Sequence, residues 1–293
     1  DIRRVGTPPS KGRDLPPRPP ALGSQINVPP SPAAAGAGKP RGKGQTPRVS
    51  PLSRGGAAGE AVSDLSPHVS ILPEEVPSAS AFGKEVEQYG KILKDNRADW
   101  NARLEAIRRL HGLILGNAES DALYPAVVRS IVGLKDCLRV QVADLRSAVA
   151  REACSLLRSV VMLFGLDFEP LADTLIPTIF KLTMVTIQVI ADSGRVLISS
   201  IASECRAPKV LQAILTHCRS GKSGIVRWRA VEALRVALRA EYPAALLARS
   251  AEGIEEALRK GLEDAQAEVR ADSRRCYWAF HAALPDRAHR FFL

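Results

Sequence analysis

From Ser80 to the end of the chain, apolar residues recur at helical spacing with polar residues between them. Val86, Tyr89, Ile92 and Leu93 make a first apolar face, which is broken near Asn96. Leu104, Ile107, Leu110, Leu113 and Ile114 make the next, predicted to end at Gly116, where a left-handed C-terminal residue is easy. A helix over Leu123–Val142, with Pro125 in its first turn, and a helix over Val149–Phe164, closed at Gly165, follow. Three further pairs are expected: Leu171–Val185 with Val189–Ala202, Val210–Cys218 with Val226–Leu238, and Leu246–Leu262 with Val269–Leu284. A short helix is expected from Asp286. No β-hairpin signal interrupts the series, so the fold class is all-α.

The second helix of most pairs carries Arg-x-x-small: Arg103–Ala106, Arg151–Cys154, Arg227–Ala230 and Arg270–Ser273. The spacings are 48, 76 and 43, and Gln188–Ala191 fills the wide gap to give 37 and 39. A helical unit recurring every forty residues or so predicts an α-solenoid of HEAT or armadillo type, an architecture that binds large partners. Within each pair lies a short polar turn: Asn96–Trp100, Asp144–Ser147, Thr186–Gln188, Ser220–Gly224 and Asp264–Glu268. Parallel stacking of the pairs would align these five turns along one edge.

Composition divides the chain. Fifteen of the 21 prolines fall in residues 1–82, and residues 1–54 carry ten Lys/Arg against Asp1 and Asp14, a local charge of +8. Residues 1–79 therefore read as a disordered, basic Pro/Gly/Ser-rich linker, and 80–293 as the helical-repeat domain. Residues 83–293 carry a further +6, so both parts favour an acidic partner. Cys137, Cys154, Cys205, Cys218 and Cys276 lie in apolar runs, as buried small hydrophobes of a reducing compartment would. His217 beside Cys218 lacks a second ligand pair, and no metal site is expected. There is also no phosphate-cradling glycine loop and no Ser/His/Asp set, so neither an enzyme nor a cofactor is expected. No apolar run is long enough to insert into a membrane and no signal peptide opens the chain. Beginning at Asp1, it reads as a segment of a longer protein.

An Arg near a helix N-terminus opposes the helix dipole, so its recurrence needs a cause. Either each pairs with an acceptor in a neighbouring repeat or some contact a ligand; Arg151 is expected to be structural. Trp100, in the polar turn Arg-Ala-Asp-Trp-Asn-Ala-Arg, is either a packed corner or a binding anchor. Trp228 and Trp278 lie within apolar helices and are expected to pack. Arg146, Lys222, Arg227, Arg229, Arg270 and Arg274 add positive charge near the later turns. They lack the aromatic interleaving of single-strand binders, so a nucleic-acid reading rests on net charge alone.

Asp99-Trp100-Asn-Ala-Arg103, Asp144-Leu-Arg-Ser-Ala-Val-Ala-Arg-Glu-Ala-Cys154 and Asp264-Ala-Gln-Ala-Glu-Val-Arg270 closely resemble TOG domains of the CLASP family of microtubule-associated proteins, over about residues 82–293. The resemblance implies a HEAT-repeat paddle that binds the αβ-tubulin heterodimer through its intra-repeat turns and regulates microtubule dynamics. It implies Trp100, Arg146, Lys222, Arg229, Arg270 and Arg274 as tubulin-binding residues, with Trp100 against β-tubulin. The expected partners are tubulin and microtubules, with no nucleic acid and no membrane insertion, for a monomeric domain. The expected location is the cytoplasmic cytoskeleton, spindle and plus ends included. One departure is Gln188, where the family commonly carries a Lys in the third turn. The rival reading is a generic HEAT scaffold that uses its concave helices.

The tail adds five Ser/Thr-Pro dipeptides, at Thr7, Ser31, Thr46, Ser50 and Ser66, as candidate phosphosites. Ser70-Ile-Leu-Pro73 has a faint likeness to the Ser-x-Ile-Pro motif for end-binding proteins, with Glu74 and Glu75 against it.

Overall fold

A computed structural model describes residues 70–95 and 97–291. The basic tail and its Ser/Thr-Pro sites, apart from residues 70–79, lie outside the described residues. The described residues fall within one compact unit, Asp64–Leu293. They form α1 (Ala79–Lys94), α2 (Trp100–Asn117), α3 (Tyr124–Val132), α4 (Lys135–Val142), α5 (Ser147–Phe164) and α6 (Glu169–Leu182). Then follow α7 (Gln188–Glu204), α8 (Pro208–Ser220), α9 (Gly224–Arg239), α10 (Ala244–Leu262), α11 (Ala267–Ala283) and α12 (Pro285–His289). Among the described residues there is no strand.

The helices stack in two layers. One holds α1, α4, α6, α8 and α10, each packed on the next; the other holds α2, α5, α7, α9 and α11 in the same order. Within each repeat the two members pack against each other, which is the HEAT arrangement. Each amphipathic helix thus buries one side against its partner and another against the next repeat. Ile107, Leu110, Leu157, Ile198, Leu234 and Phe280 fill the resulting seam. Pro125, Pro170, Pro208 and Pro285 sit in first turns, where a missing N–H costs nothing.

Three differences from the sequence expectation have local causes. The helix expected over Leu123–Val142 is two, α3 and α4, broken at Gly133-Leu134. Its apolar stripe (Val127, Ile131, Leu134, Leu138, Val142) runs through the break, so periodicity cannot show it. Gly116 does not end α2, which continues to Asn117.

Its role is close approach, and with it comes the third difference. Residues 70–77, expected within the linker, form an extended strap laid along α2. A Cβ at Gly116 would stand 2.4 Å from the Glu74 carbonyl oxygen, and one at Gly112 would stand 2.7 Å from that of Leu72. The Glu74 N–H donates to the Gly112 carbonyl at 2.9 Å. Asn117 donates through Nδ2 to the Glu74 carbonyl at 2.8 Å and accepts from the Val76 N–H at 3.1 Å. Arg109 pairs with the Glu74 carboxylate at 2.7 Å. The Ser70–Pro73 segment therefore belongs to a strap seated on the fold.

Candidate functional site

Four of the five intra-repeat turns are shaped by a short polar side chain that takes the N–H two residues ahead, the geometry that opens a helix; turn 3, where Ile187 precedes α7, has no such side-chain cap. Asp99 accepts from Asn101, Asp144 from Arg146, Ser223 from Ile225 and Asp264 from Gln266, at 2.8 to 3.2 Å. Adjacent turns are tied together. Arg103 Nη1 donates to Asp144 Oδ2 at 2.7 Å and to Gln141 Oε1 at 2.8 Å, and Gln141 Nε2 donates to the Leu93 carbonyl at 2.9 Å. Arg227 forks onto Asp264, with Nη2 to Oδ1 at 2.9 Å.

Both carboxylates are held ionised. Burial works against the charged form of Asp144, but the Arg146 N–H and the Arg103 guanidinium outweigh it and hold its pKa below the usual aspartate value. The hydrogen bond from Arg227 lowers that of Asp264, against burial and with help from the Gln266 N–H.

The first i→i−4 hydrogen bond fixes the register of the second helices. Its donors are Arg103, Ala150, Ala191, Arg227 and Arg270. Three recurring arginines therefore share one position, whereas Arg151 stands one residue late and Gln188 three early. Arg151 is half-buried but forms no ion pair with a described carboxylate, so the internal pair expected of it is not there. Turn 3, which it would have to reach, offers no acid: Thr183–Val189 is uncharged.

The residues singled out in the sequence separate into groups. Trp100 opens α2 and exposes 37% of its surface. Arg146 and Lys222 are exposed at the tips of turns 2 and 4; Arg146 touches Asp144 only at 3.6 Å. These three lie on the turn edge. Arg270 folds back beneath turn 5, donating to the carbonyls of Asp264 at 2.7 Å and Ala265 at 2.9 Å. Arg229 lies on the flank of α9, paired with Glu232 at 2.9 Å and stacked over the Trp228 ring at 3.8 Å. Arg274 is exposed on the flank of α11.

Trp228 packs as expected, half-buried with its indole N–H donating to Asp272. Trp278 does not pack: it is 66% exposed. It stands eight residues past Arg270, as His111 stands eight past Arg103. His111 is covered by α5, where Ser159 Oγ lies 2.8 Å from its Nε2. Among the described residues α11 is the last helix of its layer, so the same face of Trp278 is open.

Sequence reasoning missed the apolar half of this edge. Leu145, at the tip of turn 2, is 85% exposed, and Met184, Ile187, Val189 and Ile225 are exposed in or beside turns 3 and 4. The available signal was a single apolar residue amid turn-forming polar ones, off any helical stripe. With Trp100 they make an interrupted apolar seam flanked by Arg146 and Lys222, suited to a large surface with both apolar and acidic features.

Among the described residues, no reactive group accompanies this seam. Burial raises the thiol pKa of Cys154, Cys205 and Cys276 to about 12. His217 is occupied by the Ala213 carbonyl at 2.8 Å and by stacking on Phe180. Among the described residues, no cluster of three or more His, Cys, Asp or Glu could hold a metal, and no helix is long and apolar enough to cross a membrane.

Comparison with known proteins follows the same outline. The family model described as CLASP N terminal matches residues 82–292. The CLIP-associated protein of Arabidopsis thaliana is 34% identical over 222 residues, 76% of this chain and 15% of that protein. CLIP-associating protein 1 of Xenopus tropicalis is 32% identical over 225 residues, 75% and 15% of the respective lengths. The chain thus spans about 15% of the length of these relatives. Among solved structures, one from a study of TOG–tubulin binding specificity, microtubule dynamics and mitotic spindle formation superposes with TM-score 0.52 at 13% identity. It covers 76% of this chain and 89% of that one. The CEP104 TOG domain gives 0.50 at 14%, covering 75% and 90%. These likenesses show a TOG-type fold.

Proposed function

The chain belongs to the CLASP N-terminal family, and from that premise we propose that its helical domain binds the αβ-tubulin heterodimer along the turn edge and thereby regulates microtubule dynamics. The activity is stoichiometric and not enzymatic: holding tubulin favours growth over shrinkage, suppressing catastrophe and promoting rescue. The observation that carries this reading is Trp100, an indole left 37% exposed at the first turn and in line with the exposed Arg146 and Lys222. Exposed aromatic anchors beside exposed cations are the usual makings of an interface hot spot. Arg270 contributes by fixing turn 5, and Arg229 by holding Trp228; Arg274 borders the surface.

On this reading the domain acts as a monomer at cytoskeletal microtubules, spindle and plus ends included, with no nucleic-acid partner. The basic segment 1–79 adds electrostatic affinity for the polymer, whose closely spaced acidic sites raise the effective concentration. Phosphorylation at its Ser/Thr-Pro sites would reduce that affinity.

Co-elution with purified tubulin on size exclusion at low salt tests the assignment. The wild-type chain should shift to a one-to-one complex, and Trp100→Glu should abolish the shift while its melting curve stays unchanged. A folded wild-type chain that never co-elutes would return the protein to the generic scaffold reading.

A further inference from the structure

Beside the turn edge lies a cleft of about 480 Å³ between turn 2 and the end of α6, lined by Arg139, Val140, Leu145, Arg146, Thr178 and Lys181 among others. That volume suits one or two side chains of a peptide. Its walls combine two features. Val140 and Leu145 are apolar yet exposed, Leu145 over 85% of its surface. Arg139, Arg146 and Lys181 are exposed cations.

The one acid in the lining does not neutralise them. Asp144 is 9% exposed, and its oxygens are taken by the Arg146 N–H at 2.8 Å and by Arg103 at 2.7 Å. Neither Arg139 nor Lys181 forms an ion pair with a described carboxylate, and the Arg146 guanidinium reaches Asp144 only at 3.6 Å. Arg139 and Lys181 thus border an apolar floor with no ion pair to a described carboxylate, and Arg146 with one long contact only.

We propose that this cleft binds an extended acidic peptide in which one apolar or aromatic side chain is flanked by carboxylates. The apolar side chain lies on Val140 and Leu145, removing from water a surface that is otherwise exposed. The flanking carboxylates meet Arg139 and Arg146, whose planar forks donate paired hydrogen bonds to them, and Lys181 as a point charge. Charge selects the peptide and the apolar contact fixes its register. A purely acidic segment would gain only the screened, nonspecific part. The site shares Leu145 and Arg146 with the turn edge, while Arg139, Val140 and Lys181 are its own, and it does not require tubulin to be the partner.

The probe is a fluorescein-labelled Glu-Glu-Phe-Glu-Glu peptide, followed by anisotropy with the full chain at low salt. Lys181→Glu and Leu145→Ser should each weaken binding about tenfold, as should replacing the peptide's Phe with Ser. Lys209→Glu, the same charge reversal at an exposed lysine at the start of α8, should change it less than about twofold. Melting curves of the variants should match the wild type, since the altered side chains are exposed. No binding by the wild type, equal losses from Lys181→Glu and Lys209→Glu, or indifference to Leu145→Ser would each overturn the proposal. None of these outcomes depends on whether Trp100→Glu abolishes tubulin co-elution.

Discussion

Arg103 and Asp144 stand 2.7 Å apart with side chains only 10% and 9% exposed, and they join the second helix of one repeat to the turn of the next. Arg227 and Asp264 repeat the relationship between the fourth and fifth repeats. Both pairs lock neighbouring turns, so the spacing of the turn edge depends on side chains that themselves are mostly buried.

Removing Arg103 leaves the Asp144 carboxylate buried without its cation. Arg103→Met should therefore cost about 3–5 kcal/mol in denaturant unfolding. Arg151→Met, which breaks no described ion pair, should cost less than about 1 kcal/mol. Similar losses for both would show that the helical register assigned from the first hydrogen bonds is mistaken.

Three groups, His111, Asp144 and Asp264, set the acid side of the stability profile. Burial lowers the pKa of His111 from 6.5 to about 4, so the folded chain keeps it neutral while the unfolded chain protonates it. The unfolded state then binds more protons between those values, and stability falls as pH drops from about 6.5 towards 4. The loss should reach about 2 kcal/mol by pH 5. His111→Gln should flatten this limb. Asp144 and Asp264, with folded pKa values below 3.8, contribute stability that is present above that value and lost as pH falls through their folded pKa. Asp264→Asn should therefore reduce the slope only in the more acid range. An unchanged slope between pH 7 and 5 in His111→Gln would remove His111 as its cause.

Gly116→Ala sets two effects against each other. Alanine favours the helix by about 1 kcal/mol, but its Cβ would fall 2.4 Å from the Glu74 carbonyl oxygen, a backbone atom held in the strap. The strap should be expelled, and the Glu74 and Val76 amides, which donate to Gly112 and Asn117, should lose hydrogen-exchange protection. Melting should fall despite the better helix former. A rise in melting temperature with protection intact would mean that the strap accommodates the methyl group.

Much of this fold was legible in the sequence because periodicity reports burial. The five helix pairs, the cap at Gly165 and the turn edge all follow from apolar spacing and turn chemistry. What periodicity could not show was relations between segments. The Gly112/Gly116 pair reads as a weak spot in a helix until the strap is seen lying on it. The Arg-x-x-small pattern aligned Arg151 with Arg103, although only hydrogen-bond register shows that their side chains leave different faces. Trp278 reads as packed because its helix is apolar, and only its place at the end of the layer exposes it. Within the candidate site, Trp100, Arg146 and Lys222 could be found from polar turns. Arg229 and Arg270 could not be set apart from them, because their pairing with Glu232 and with turn carbonyls depends on the folded geometry.

The proposed tubulin edge is part charged and part apolar, and ionic strength should separate the two. An exposed cation acts through a field that salt screens within about 10 Å at 0.1 M. Lys222→Ala should therefore weaken tubulin binding chiefly at low salt, with the difference from wild type shrinking as salt rises. Ile187, exposed in the uncharged third turn, would act by desolvation, which moderate salt does not screen. Ile187→Ser should weaken binding by a similar factor at every salt concentration, about fivefold to tenfold if the side chain is largely buried on binding. Gln188→Lys, restoring the charge the family commonly carries there, should strengthen binding at low salt and lose that advantage at high salt. Each variant should melt with the wild type, since all three positions are exposed. Titration of labelled tubulin across a salt series measures all of these together. If Ile187→Ser leaves affinity unchanged throughout while Lys222→Ala lowers it, turn 3 takes no part in binding and the edge acts through charge and Trp100 alone.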